Sequence, residues 1–132
     1  MRSVILSLAL VFGLAVPLRA DDGARAVISA QIEAFLAGDV SRAYGYASPV
    51  IQQKFGTAEQ FGTMVREGYP MVWKPSDVTF FEARDIDGKL WQSVSVHDRT
   101  GAGWIVEYEM IQSEDGWRIN GVQVRPVPES SV

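Results

Sequence analysis

The segment DIDGKLWQSVSVHDRTGAGWIVEYEMI (residues 85–111) decides the fold. It contains two stretches in which apolar and polar side chains alternate, as they do in strands with one buried face. The Asp-Gly pair at residues 87–88 fits a two-residue type I′ hairpin turn, and Arg-Thr-Gly at residues 99–101 fits a three-residue loop with its glycine in the left-handed conformation. The segment therefore predicts antiparallel strands at residues 90–98 and 104–112.

Two more strands flank this pair. Residues 78–86 precede the Asp-Gly turn, and residues 117–124 follow a four-residue turn at 113–116. Because every connection is short, consecutive strands are expected to pair antiparallel and to form a four-stranded meander. The last residues, 126–132, are expected to be a flexible tail.

The predicted turns fix which residues lie opposite one another, and alternate residues of a strand point to opposite faces of the sheet. His97 is expected opposite Val78. The inner face, which the helices cover, is predicted to carry Phe81, Ala83, Leu90, Gln92, Val94, Val96, Trp104, Val106, Tyr108, Met110, Trp117 and Ile119. The outer face is predicted to carry Phe80, Glu82, Arg84, Trp91, Ser93, Ser95, His97, Ile105, Glu107, Glu109, Ile111, Arg118 and Asn120.

Helical periodicity occupies the first half of the chain. Apolar residues recur at three- and four-residue steps in residues 24–37, and a second, short helix is expected between Asp39 and Pro49. A capping box at residues 57–60 begins a third helix, which ends before the apolar connector 69–75. Three helices followed by an antiparallel meander predict an α+β fold.

The N-terminus has the layout of a secretory signal peptide. Arg2 precedes an apolar run at residues 4–16, and Pro17 precedes a cleavage site after Ala20. The run of 13 residues is shorter than the roughly 20 residues that cross a bilayer as a helix. We therefore expect an exported protein, periplasmic or secreted, with one domain at residues 21–125 and no membrane insertion after cleavage.

Charge and cysteine content narrow the range of partners. The chain has no cysteine, which excludes disulfides and cysteine metal sites. Its net charge is −4, and removal of Arg2 and Arg19 leaves ten basic and sixteen acidic residues, a charge of −6. Because the basic residues are scattered, nucleic acid is not an expected partner. A single histidine, His97, cannot form a typical zinc site, so neither a metal nor a cofactor is expected.

Five segments carry a family resemblance: residues 31–39 (QIEAFLAGD), 43–55, 64–70 (MVREGYP), 91–94 and 117–122. They resemble a family of exported bacterial proteins, the domain of unknown function 4864, within the nuclear-transport-factor-2-like superfamily. The resemblance implies a cone with its mouth between the long helix and a concave sheet. The superfamily contains ketosteroid isomerases and scytalone dehydratases as well as proteins without enzymatic activity, so the fold alone does not decide the function.

The leading hypothesis is non-catalytic binding of a small apolar or amphipathic ligand in the cone. Gln92 is predicted to lie opposite Tyr108, with Gly121 beside Tyr108 leaving room. The same cavity is predicted to be lined by Thr79, Phe81, Trp104, Met110 and Tyr44. Apolar walls with a few orienting polar groups are typical of small-molecule sites. In the alternative interpretation, Gln92 and Tyr108 satisfy each other's hydrogen bonds in a packed core.

Two other hypotheses belong to different classes of protein. The outer face is predicted to be a homodimer or partner surface through Trp91, Phe80, Ile105 and Glu107, because large apolar groups are seldom left exposed together. It is alternatively a solvated face with compensating charges. An isomerase or dehydratase would need a general base in the cone. The candidate carboxylates for that role are Asp77, Asp85 and Asp39.

Overall fold

The computed structural model describes residues 20–128, which form five helices followed by four strands. The helices are α1 (Ala20–Leu36), α2 (Val40–Gly45), α3 (Pro49–Phe55), α4 (Ala58–Gly68) and α5 (Pro70–Trp73). The strands are β1 (Ser76–Ile86), β2 (Lys89–His97), β3 (Gly103–Ser113) and β4 (Gly116–Pro126). The predicted signal peptide, apart from Ala20, and the last four residues lie outside this range. Within it, no helix has the length and apolar character needed to span a membrane.

The sheet is antiparallel in the order β1-β2-β3-β4, which confirms the predicted α+β class and meander. Ile86 pairs with Lys89 across a two-residue turn. Both turn residues have positive φ, 54° at Asp87 and 79° at Gly88, as a type I′ turn requires. Gly101, with φ 86°, takes the left-handed position predicted for the next loop.

Strands β2 and β3 pair without interruption from Leu90–Met110 to His97–Gly103, and Gln92 lies opposite Tyr108 as predicted. The inner-face residues of this pair form the centre of the core. Val94 and Val106 are fully buried, and Val96, Tyr108 and Met110 are at most 2% exposed. The main hydrophobic core therefore lies between this strand pair and the helices.

Strand β1 departs from the predicted alternation. Its pairing with β2 shifts twice, between Ser76 and Thr79 and between Phe80 and Ala83. Each extra residue reverses the faces on which its neighbours lie. Thr79 is consequently opposite the outer-face residue Ser95, and His97 is opposite Ser76 instead of Val78.

The second shift exchanges two phenylalanines. Phe80 lies opposite Val94 and packs against the core, whereas Phe81 is 44% exposed. The predicted inner-face positions of Thr79 and Phe81 are therefore wrong, and so is the outer-face position of Phe80. The turn residues fix the register only near the turn, and a bulge further along the strand overrides it.

Strand β4 contains a similar shift. Met110 pairs with Ile119 and Glu109 with Gly121, so Asn120 is an extra residue between them. Tyr108 is opposite Val122. The prediction that Gly121 lies beside Tyr108 is wrong, because the inserted Asn120 moves every later residue by one position.

Helices α3 and α5 were not predicted, and five helices replace the expected three. Both begin with proline at their first turn, Pro49 and Pro70. Proline lacks an N–H and has a fixed φ, which suits the first helical position. Ser48 caps α3, since its Oγ accepts a hydrogen bond from the Ile51 N–H at 3.3 Å. Pro49, which is predicted to end the second helix, therefore also begins α3.

Candidate functional site

A cavity of about 290 Å³ lies between the helices and β4. This volume is near the lower end of the roughly 300–1,000 Å³ typical of ligand pockets. Most of the lining side chains are apolar: Phe35, Ala47, Ile51, Phe55, Phe61, Met64, Val65, Tyr69, Val72, Ile119 and Val122. The remaining lining residues are Gln31, Lys54, Asn120 and Gly121. The cavity is therefore an apolar space with a few polar groups.

Helices α3 and α4 each contribute one face to the cavity. The lining residues of α3 are Ile51, Lys54 and Phe55, and those of α4 are Phe61, Met64 and Val65. In each helix the second and third of these residues follow the first by three and four positions. Residues three and four apart lie on the same side of an α-helix. Both helices thus present a continuous stripe of side chains to the cavity.

Strand β4 contributes four consecutive residues, Ile119 to Val122. A regular strand would turn only every second side chain toward the cavity. The bulge at Asn120 breaks this alternation. The connection between α2 and α3 is attached at the same point, because Ser48 N–H donates to the Ile119 carbonyl at 2.8 Å and Ile119 N–H donates to the Tyr46 carbonyl at 2.9 Å.

Aromatic rings form a wall around Phe61. Its ring centroid lies 6.0 Å from that of Phe35, 5.9 Å from that of Phe55 and 5.5 Å from that of Tyr44. Offset and edge-on aromatic pairs at such distances are favourable beyond the area they bury. The cluster joins α1, α2, α3 and α4, so it holds this wall of the cavity in a defined position.

Three polar side chains lie at the cavity. Gln31 is 3% exposed, and its Nε2 donates to the Ala43 carbonyl at 3.1 Å. Asn120 accepts a hydrogen bond from Ser48 Oγ at 2.8 Å. Lys54 is exposed and therefore marks the opening to solvent. No aspartate, glutamate or histidine is among the lining residues.

None of the seven residues predicted to bind a ligand lines this cavity. Gln92 is fully buried, and its Nε2 donates to the Phe81 and Ser93 carbonyls at 2.6 and 2.9 Å. Its Oε1 accepts from Arg25 Nε at 3.3 Å, and Arg25 also donates to the Phe81 carbonyl at 2.8 Å. Gln92 and Arg25 therefore supply hydrogen bonds to the Phe81 carbonyl, which the β1 bulge turns away from the backbone hydrogen bonds between β1 and β2.

The other predicted ligand residues have separate environments. Burial raises the pKa of the Tyr108 hydroxyl, which keeps the phenol neutral. Met110 is in the core, Trp104 Nε1 donates to Asp98 Oδ2 at 2.8 Å, and the Tyr44 hydroxyl donates to the Gln52 carbonyl. Thr79 and Phe81 are exposed on β1. A role for any of the seven in ligand binding stays a prediction.

The outer face of the sheet carries paired charges. The Glu107 carboxylate lies 2.7 Å from Arg125 and 3.5 Å from Arg84. Lys89 lies 2.8 Å from Glu109. Trp91 and Ile105 are partly exposed on this face, whereas Phe80, also predicted to be at an interface, packs inward. An interface through this surface stays a prediction.

The three candidate catalytic carboxylates are exposed and none lies at the cavity. Asp39 caps α2 by accepting a hydrogen bond from Arg42 N–H at 3.1 Å, and Asp77 lies 3.3 Å from His97. Asp85 is in the exposed part of β1. Within residues 20–128, no three histidine or acidic side chains cluster in a way that would hold a metal ion.

None of the fifteen lining residues is among those predicted from the sequence to bind a ligand, and seven of them belong to α3 and to β4. The Ser-Pro pair at residues 48–49, followed by apolar Ile51 and Phe55 four residues apart, is a signal for a capped helix with one apolar face. The bulge at Asn120 has no comparable signal in the sequence.

A family model described as Domain of unknown function (DUF4864) matches residues 18–132. The chain belongs to this family. The match covers every described residue from 20 to 128, so the helices, the sheet and the cavity all lie within the DUF4864 domain. Comparisons with curated proteins and with solved structures give no match.

Proposed function

We propose that the protein binds a small apolar or amphipathic ligand in the cavity between its helices and β4. The observation that carries the proposal is a space of about 290 Å³ with mainly apolar walls and a few polar groups. Protein interiors are normally packed as densely as organic crystals, with few voids larger than a water molecule. This cavity has the volume of roughly ten waters, at about 30 Å³ each.

The chemistry of the lining supports binding over acid–base catalysis. A general base must lie within hydrogen-bonding distance of the proton that it abstracts. The carboxylates Asp39, Asp77 and Asp85 are exposed away from the cavity, and the lining contains no carboxylate or histidine. The polar groups present, Gln31 and Asn120, are neutral amides held in place by hydrogen bonds to the Ala43 carbonyl and to Ser48 and Glu109.

The proposal also includes the superfamily of the protein and its export from the cytoplasm. Helices packed on one face of an antiparallel meander, with a pocket between them, support the nuclear-transport-factor-2-like superfamily. The signal-peptide pattern of the first 20 residues supports export. In that setting the protein would bind its ligand in the periplasm or outside the cell.

Titration calorimetry of the mature protein with 1-octanol tests the proposal. Ile51 lines the cavity, whereas its neighbour Val50 is 65% exposed on the same helix. We expect octanol to bind the native protein, Ile51→Trp to abolish binding by filling the space, and the matched control Val50→Trp to retain it. The absence of binding to the native protein, or equal binding by both variants, would refute the proposal.

A further inference from the structure

We infer that the ligand is a small organic anion, a carboxylate with a short apolar tail, held with its carboxylate at Lys54 and its tail in the cavity. This inference rests on the proposed function and adds the chemical class of the ligand. It follows from the charge and the position of Lys54 and from the volume of the cavity.

The charge at the cavity has one sign. Lys54 is the single charged side chain among the lining residues, in a chain whose net charge is −4. Within residues 20–128 Lys54 forms no ion pair, as is true of six other basic side chains, whereas Arg84, Lys89 and Arg125 are engaged by carboxylates. A cationic ligand would find no counter-charge in the lining, whereas a carboxylate would form a charge-assisted hydrogen bond with the ammonium group.

The position of Lys54 joins the charge to the apolar wall. Its Nζ lies 5.8 Å from the centroid of the Phe55 ring, and Phe55 lines the cavity. Lys54 is exposed, whereas the deeper lining residues Phe35 and Phe61 are at most 5% exposed. A ligand with its charged end at Lys54 would therefore direct its other end toward the aromatic cluster. Such an arrangement fits an amphipathic molecule.

The volume limits the length of the tail. A space of about 290 Å³ accommodates roughly ten non-hydrogen atoms when each is given about the volume of a water. An eight-carbon carboxylate has this size. Octanoate is therefore a suitable probe, and 1-octanol is its uncharged counterpart with the same tail.

The test compares the affinities of octanoate and octanol for the native mature protein, Lys54→Gln and Arg66→Gln. Arg66 is an exposed cation on α4 that does not line the cavity, so its replacement controls for net charge. We expect Lys54→Gln to lower the octanoate-to-octanol affinity ratio roughly twofold to fivefold, the range of an exposed charge pair. The ratio should not change in Arg66→Gln. Raising the salt concentration should lower the ratio in the native protein and in Arg66→Gln but not in Lys54→Gln.

The outcomes separate this inference from the proposal on which it rests. If both probes bind but Lys54→Gln leaves the ratio unchanged, the cavity is a ligand site and the carboxylate assignment is wrong. An equal fall in Arg66→Gln would also overturn the assignment, because it would reflect net charge alone. If neither probe binds the native protein, the proposed function and this inference are both wrong.

Discussion

The two central strands and the two edge strands of the sheet differ in regularity. Strands β2 and β3 pair along their whole length without a register shift. Strand β1 shifts twice against β2, and β4 shifts once against β3. The regular pair contributes the most deeply buried side chains of the sheet. The irregular strands contain the bulge whose Phe81 carbonyl accepts from Gln92 and the β4 wall of the cavity.

Under the proposed function, this difference assigns stability to the regular strands and ligand binding to the irregular ones. An uninterrupted ladder keeps all its apolar residues on one face, which suits a core. A bulge re-aims side chains and bends the strand, which suits a binding site. Variants that alter one region and spare the other therefore test this difference.

The largest effect is expected from loss of a core side chain of β3. Tyr108 is 1% exposed, whereas Phe81 on β1 is 44% exposed. We expect Tyr108→Ala to lower the free energy of unfolding by about 3–5 kcal/mol, because it leaves a large cavity. Phe81→Ala should change it by less than about 0.5 kcal/mol, as exposed substitutions usually do. Urea unfolding followed by tryptophan fluorescence measures both values.

A similar loss in the two variants would contradict the comparison. It would mean that Phe81 is buried in the protein in solution, for example by a second copy of the chain. Sedimentation of the native protein and of Phe81→Ala at several concentrations would then show whether association is the cause.

A smaller effect is expected at the β1 bulge. Gln92 donates to the Phe81 carbonyl within a fully buried environment. Gln92→Leu removes this donor and leaves Arg25 as the remaining side-chain donor to that carbonyl. We expect a loss of about 1–3 kcal/mol in the free energy of unfolding, the cost of an incompletely satisfied buried polar group.

Gln123→Leu on β4 is the matched control for this substitution. Gln123 is exposed, so its replacement should change the free energy of unfolding by less than about 0.5 kcal/mol. Hydrogen exchange should also locate the Gln92→Leu effect in β1. If exchange accelerates equally in all four strands, Gln92 supports the core as a whole and not the bulge.

The sequence predicts the regular region well and the irregular region poorly, for a physical reason. Asp87-Gly88 and Gly101 require backbone conformations that few residues adopt, so they fix the turns and the β2–β3 register. The bulges are instead stabilised by contacts with distant residues, as the hydrogen bonds of Arg25 and Gln92 to the Phe81 carbonyl show. Asn120 is inserted where the α2–α3 connection bonds to Ile119, a contact that local sequence does not contain.

The candidate site was located less well than the fold because it depends on those distant contacts. The alternation of side chains along β2 and β3 assigns Gln92 and Tyr108 to the inner face of the sheet correctly, yet the cavity lies beside β4 and not above them. Strand alternation gives the face of a side chain but not the place where the helices leave space. That place is set by α3, whose start at Pro49 was interpreted as a break.

The smallest effect is expected in the β2–β3 loop and only at acid pH. Asp98 accepts hydrogen bonds from the Thr100 hydroxyl and Trp104 Nε1, at 2.6 and 2.8 Å, which lower its pKa to about 2. The unfolded chain binds this proton near pH 3.9, so the stabilisation by Asp98 is complete above about pH 5 and is lost as the pH falls toward 2. We expect the difference in free energy of unfolding between the native protein and Asp98→Asn to shrink over that interval. The control Asp115→Asn, in the exposed β3–β4 turn, should show a smaller dependence on pH. A constant difference between pH 6 and pH 2 would show that the loop does not depend on the charge of Asp98.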